Sequence, residues 1–98
     1  MNASVDFLKG HTLTVYSSTW CPDCDRLEQW MKSRKVAFER VLIDQRPEAA
    51  EKLEEETGKQ AVPFILVDDK TWVRGYHREE RSNFSEAKLL AELQQALG

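Results

Sequence analysis

Cys21 and Cys24 are the only cysteines in this chain of 98 residues, and they stand at a seam in its hydrophobic pattern. Leu13-Thr14-Val15-Tyr16-Ser17 ahead of them is rich in β-formers and predicts a strand, while Asp25 to Lys35 behind them predicts a helix. A C-x-x-C pair at a strand-to-helix junction points to thiol–disulfide exchange. The first turn of a helix leaves backbone N–H groups unpaired and carries partial positive charge. A thiolate held there is stabilised, and the thiolate is the nucleophile of the exchange. Pro22 suits the first helical position, where its missing N–H costs nothing. Cys21 should therefore present its sulfur at the helix tip, with Cys24 one turn further in and able to close a disulfide.

Other uses of the pair fit less well. A structural zinc site needs about four ligands, and the two histidines, His11 and His77, stand far apart without paired spacing, so no metal is expected. A purely structural bridge this short closes almost no loop and removes little entropy from the unfolded chain.

The length suits one domain, read as residues 1–98 with an N-terminal arm over 1–11, and one core. A net charge of −3 gives no footprint for nucleic acid or an anionic membrane. No apolar run approaches the ~20 residues of a membrane span, and Met1-Asn2-Ala3-Ser4 lacks the basic and apolar segments of a secretory signal. A cytoplasmic location is expected, where C-x-x-C is more often catalytic than structural.

In chain order, Val5, Phe7 and Leu8 leave a short strand, a turn or a loose arm open. On the first helix Leu27, Trp30 and Met31 form an apolar stripe that reads as core. A second strand is expected over Phe38 to Ile43. Pro47 then opens a charged helix running to Thr57, with Gly58 as its stop; its acidic run reads as a solvated face. Phe64-Ile65-Leu66-Val67 predicts a strand buried on both faces. Asp68-Asp69-Lys70 turns the chain into an antiparallel strand, Thr71 to Arg74. Asn83 and Glu86 have capping-box spacing ahead of a last helix with Ala87, Leu90, Leu93 and Leu97 on one stripe. Strands joined through helices should be parallel. The expected fold is α/β: a mixed four-stranded sheet with helices on both faces.

Residues 12 to 97 resemble the thioredoxin superfamily, and within it the glutaredoxins. The resemblance rests on Val15-Tyr16-Ser17-Ser18-Thr19-Trp20-Cys21-Pro22-Asp23-Cys24, on Val62-Pro63 and on Gly75-Tyr76. It implies a thioredoxin fold with a cis-proline at Pro63 facing the nucleophilic cysteine. It also implies that the Val62 backbone pairs with bound substrate like an added strand, and that Trp20, Pro63 and Tyr76 line the cleft around Cys21. Pro22, Asp23, Gly75 and His77 complete the expected substrate-binding set. The chain departs from glutathione-using members at three places. Ser18 replaces a lysine, Ala61 replaces a threonine, and Arg74-Gly75-Tyr76-His77-Arg78 stands where they carry Gly-Gly-x-Asp-Asp. Trp72 to Glu79 also resembles a Trp-Ser-Gly-Phe-Arg-Pro segment of redoxins that serve ribonucleotide reductase and are recharged by thioredoxin reductase. The Tyr-Ser-x-x-Trp-Cys run resembles mycoredoxins, and Trp-Cys-Pro-Asp-Cys recurs in thioredoxin-related proteins of longer build.

These readings imply a monomeric thiol–disulfide oxidoreductase acting on protein disulfides or on mixed disulfides between proteins and small thiols. Its catalytic pair and redox-active disulfide would be Cys21 and Cys24. No cofactor would be tightly bound; glutathione, mycothiol or bacillithiol would serve as co-substrate. A dedicated electron donor recharged by thioredoxin reductase, and a non-enzymatic redox-sensing or metal-binding adaptor, are the alternatives. His77, Arg74 and Arg78 would hold an anionic group of the thiol or partner. Asp23 should raise the Cys21 pKa: at roughly 7 Å in a near-aqueous setting Coulomb's law gives about 0.6 kcal/mol, a little under half a pKa unit.

Overall fold

The computed structural model describes residues 5–98. A 3-10 turn, Asp6–Leu8, precedes β1 (Leu13–Ser17), α1 (Pro22–Ser33), β2 (Glu39–Leu42), α2 (Pro47–Thr57), β3 (Phe64–Val67), β4 (Thr71–Arg74) and α3 (Glu86–Ala96). The strands lie in the order β2-β1-β3-β4. β1 is parallel to β2 and antiparallel to β3, and β3 and β4 form a hairpin. Asp68 and Asp69 turn that hairpin in the left-handed region, with φ of 52° and 59°, which short polar side chains tolerate.

Alternation along the strands sends side chains to two cores. Leu13, Val15, Ile65, Val67 and Val73 pack with Leu27 and Met31 of α1 and Leu89 and Leu93 of α3. On the opposite face Tyr16, Phe64 and Leu66 pack with Ala49 and Leu53 of α2 and with Tyr76. Helices thus cover both faces, and every residue of the central strands β1 and β3 is buried. Among the described residues, no helix is long and apolar enough to cross a membrane.

Three expectations are corrected. Strands joined through a helix are parallel for β1–α1–β2 but not for β2–α2–β3. Leu42 ends β2 opposite Ser17, and Phe64 starts β3 opposite Tyr16, so the chain returns to the end of the sheet it had just left. An 11-residue α2 advances only ~16 Å, and residues 58–63 can span ~20 Å when extended, enough to undo that travel. Next, α3 is capped by Ser85, whose side chain accepts from the Lys88 N–H, and not by Asn83. Asn83 has φ 60° and uses its amide elsewhere. Finally, Ala87 is exposed while Leu89 is buried. At ~100° per residue Ala87 lies about 120° around the helix from Leu93, and Leu89 about 40°.

Residues 1–4 of the expected N-terminal arm lie outside the described residues. From Val5 onward the chain forms the turn alternative, with Leu8 only 5% exposed in the core of the α1/α3 face.

Candidate redox site

The loop that leaves β1 is tied down before it reaches the cysteines. Thr19 donates its backbone N–H to Asp44 Oδ1 at 3.1 Å and its hydroxyl to Asp44 Oδ2 at 2.6 Å. The Thr19 hydroxyl is the main cause that holds the Asp44 carboxyl below the usual carboxylate range. Cys21 follows as the N-cap of α1, with extended backbone (φ −137°, ψ 99°) and Pro22 at the helix start. Its Sγ accepts from the Cys24 N–H at 3.1 Å, and its carbonyl accepts from the Asp25 N–H at 3.0 Å. The sulfur thus occupies the place where a serine or threonine oxygen commonly caps a helix. Cys21 and Cys24 are joined by a disulfide with Cα atoms 5.2 Å apart. Their exposure differs: Cys21 is half-buried, and Cys24 is 0% exposed on the inner face of α1.

The inner face also holds a charge that sequence reasoning missed. Glu28 is only 6% exposed. It accepts from the Ser17 hydroxyl at 2.9 Å and receives Arg40 Nη1 at 3.4 Å. Ser17 ends β1 and Glu28 lies one turn beyond Cys24, so this contact fixes the redox helix to the strand that feeds it. The spacing Cys24, Leu27, Glu28, Met31 could have shown that Glu28 shares the buried stripe.

At the same end of the sheet the Val62-Pro63 bond is cis, and Pro63 is fully buried ahead of β3. Gly75 stands behind it and donates its N–H to the Pro63 carbonyl at 2.9 Å. A Cβ on Gly75 would lie 2.6 Å from Leu27 Cδ2, 3.1 Å from Pro63 Cγ and 3.3 Å from the Pro63 carbonyl oxygen. The absence of a side chain at position 75 lets the proline, β4 and the redox helix meet.

The other expected site residues are dispersed. Trp20, 93% exposed, and Pro22 line a shallow cleft of about 300 Å³ with Thr19, Cys21 and Asp25. Tyr76 is only 7% exposed; its ring meets Phe64 edge-on at 5.8 Å and carries the Arg78 guanidinium at 5.6 Å. It borders a separate cleft with Lys59, Ala61, Phe64, Arg74 and Arg78. His77 is 0% exposed, and its Nδ1 accepts from the Ser85 N–H at 3.2 Å. Burial pushes its pKa down, against the opposing field of Glu92. Arg74 is held by Glu79 and Glu92, and that pairing, with Lys88 added, lowers the Glu79 carboxyl to about 2. Asp23 is gripped on both oxygens, by Arg26 Nη1 at 2.9 Å and Asn83 Nδ2 at 2.6 Å.

Known proteins resemble this chain. The glutaredoxin family model matches residues 13–72. The glutaredoxin-like protein NrdH of Lactococcus lactis subsp. lactis (strain IL1403) is 39% identical over 57 residues, which cover 58% of this chain and 78% of that protein. A glutaredoxin of Pseudomonas aeruginosa is 32% identical over 82 residues, covering 81% of this chain and 96% of its own. Among solved structures, a glutaredoxin from Archaeoglobus fulgidus superposes with a TM-score of 0.64 at 23% identity, over 95% of this chain and 97% of that one. A buckwheat glutaredoxin–glutathione complex gives 0.61 at 20% identity, over 93% and 84%; at these identities the structures establish the fold alone. With the strand–Cys-x-x-Cys–helix unit inside the matched span, the chain belongs to the glutaredoxin family of thiol–disulfide oxidoreductases, within the thioredoxin superfamily.

Proposed function

We propose that Cys21 is the attacking thiol and Cys24 the resolving one. One observation carries this assignment: Cys21 Sγ takes the cap position at the partly exposed helix tip, while Cys24 is 0% exposed. The Cys21 thiolate attacks one sulfur of a substrate disulfide and forms a mixed disulfide, and the first substrate thiolate leaves. Cys24, as its thiolate, attacks Cys21 Sγ and releases the second thiol. The substrate has gained two electrons, and Cys21–Cys24 is left oxidised. Two equivalents of a small thiol restore the dithiol and leave as their own disulfide.

Substrates in this reading are protein disulfides and S-thiolated proteins, and the protein works as a cytoplasmic single-domain monomer. Trp20 and Pro22 flank the attacking sulfur in its cleft. Among the described residues none hydrogen-bonds the Val62 backbone, which leaves it able to receive an extended substrate. Of the three basic residues expected to hold an anion, Arg78 is exposed, Arg74 is ion-paired and His77 is buried. Arg78, with Lys59 across the same cleft, therefore serves a carboxylate-bearing thiol.

The test offers oxidised protein to glutathione, mycothiol, bacillithiol, and NADPH with thioredoxin reductase. Rapid reduction by one small thiol supports the reading. Cys21→Ser should abolish reductase activity, and Cys24→Ser should lose the dithiol route but keep reduction of small mixed disulfides. Similarity to an NrdH over 57 residues favours a second reading, a dedicated donor recharged by thioredoxin reductase. Reduction by the flavoenzyme alone would select it.

A further inference from the structure

We propose that Asn83 is a positioning residue of the redox site, holding the Asp23 carboxylate so that it does not suppress the Cys21 thiolate. The inference rests on Cys21 being the attacking thiol. Asp23 lies in the first turn of α1, one residue beyond Pro22. A carboxylate two residues beyond a capping sulfur, in the same helical turn, opposes a second negative charge and raises the pKa of the thiol. Here the carboxylate is not loose. Arg26 Nη1 donates to Oδ1 at 2.9 Å, and Asn83 Nδ2 donates to Oδ2 at 2.6 Å across 60 residues of chain. The amide places a partial positive charge against the oxygen and fixes the direction in which the carboxylate points.

The turn ahead of α3 is built to present that amide. Asn83 has φ 60°, a left-handed conformation that asparagine tolerates. Its carbonyl accepts from the His77 N–H at 2.8 Å, and its own N–H donates to Glu80 O at 3.0 Å. Two residues on, the Ser85 N–H is held by the buried His77 ring. The backbone is therefore fixed on both sides of Asn83. Helix capping does not account for the amide, because Ser85 caps α3. The other charges nearby have their own places. Asp25 is exposed beside Cys21, Asp44 is bound by Thr19, and Glu79 and Glu80 are bound by Lys88. Removing the Asn83 amide leaves these unchanged and frees Asp23 Oδ2 alone.

The experiment titrates the Cys21 thiolate by its absorbance in the Cys24→Ser protein, with and without Asn83→Gly. Glycine accepts the same backbone angle without strain. The Cys21 pKa should rise by about 0.2–0.4 units in Asn83→Gly. Asn83→Asp, which also tolerates the angle, should raise it further by opposing one carboxylate with another. On an Asp23→Asn background Asn83→Gly should leave the pKa where it was. An unchanged or lowered pKa in both Asn83 variants overturns the proposal. So does a shift of equal size without the Asp23 charge, which would assign Asn83 to shaping the loop. Iodoacetamide reads the cysteine assignment separately: faster alkylation of Cys21→Ser than of Cys24→Ser would overturn Cys21 as the attacking thiol while leaving the Asn83 titration readable.

Discussion

The two faces of the sheet are built differently. One carries two helices over an aliphatic core, in which Leu27, Met31, Leu89 and Leu93 are fully buried. The other carries a single helix over an aromatic cluster of Tyr16, Phe64 and Tyr76, and α2 gives it only Ala49 and Leu53 as buried residues. Both cysteines belong to the first face through α1. The redox site is thus held by the thicker, aliphatic side, through Leu27 beside Gly75 and through Glu28 against Ser17. The α2 side contributes stability and the rim of the Arg78 cleft. Substitutions in the first face should disturb chemistry and stability together; those in the second should mainly cost stability, and reach function only through thiol binding at the Arg78 cleft.

The largest effect is expected from Leu27→Ala. Truncating a fully buried leucine costs about 2–5 kcal/mol, and the upper half of that range applies here because sheet and helices enclose the site. Denaturant unfolding should show the loss, and kcat/KM should fall as α1 shifts. Tyr76→Ala comes next, at about 3 kcal/mol. Its ring packs on Phe64 in the aromatic core and carries the Arg78 guanidinium, so melting temperature should drop and KM for the small thiol should rise, with little change in kcat. A raised KM with normal stability would show that the ring serves the cleft and not the core. Leu53→Ala should cost about 2–3 kcal/mol and leave kinetics intact, because α2 carries no part of the redox pair. Equal kinetic damage from Leu53→Ala and Leu27→Ala would break the distinction between the faces. Gly75→Ala should cost about 1–3 kcal/mol by overpacking. Leu27 can yield as a flexible side chain, but the Pro63 ring and carbonyl cannot, so activity should suffer more than the stability loss alone implies.

Local signals in the sequence carried most of the fold. Pro47 and Gly58 bracket α2 as expected, with Gly58 at φ 86°, because a proline start and a left-handed stop are properties of single residues. The apolar run 64–67 reads as a doubly covered strand for the same reason. Long-range choices were not legible. The reversal of β3 depends on how far residues 58–63 return the chain. Within the site, the redox pair was legible from its spacing and its place between strand and helix. Its supports were not: Asp44 meets Thr19 across 25 residues, and Asn83 meets Asp23 across 60. Asp23 in the sequence is a bare charge beside Cys21; in the fold both its oxygens are occupied. Arg74 and His77 counted as cations by type, yet one is neutralised by glutamates and the other is buried. Charge type is local, but its availability is decided by tertiary neighbours.

The smallest effect tests the join between the faces, where His77 sits at the base of the turn ahead of α3. Burial is the main cause that pushes its pKa below the ordinary value of 6.5; Glu92 opposes the shift and Arg74 adds to it. The hydrogen bonding agrees. Nδ1 already accepts from the Ser85 N–H, so the neutral ring keeps its proton on Nε2, which lies 3.7 Å from Glu92 Oε1 and beyond hydrogen-bond reach. Protonating Nδ1 would break the bond to Ser85. As pH falls below about 6.5 the unfolded chain takes up a proton that the folded chain refuses. The contribution of neutral His77 to stability is therefore complete above that pH and is lost progressively below it. Melting temperature measured between about pH 8 and pH 5.5 should decline across this window. In His77→Gln the decline should flatten, and exposed His11, common to both proteins, cancels in the comparison. A wild-type protein that gains stability relative to His77→Gln on acidification through this window would mean that Glu92 turns toward the ring and accepts an imidazolium, and that the His77 turn tightens where it is expected to loosen.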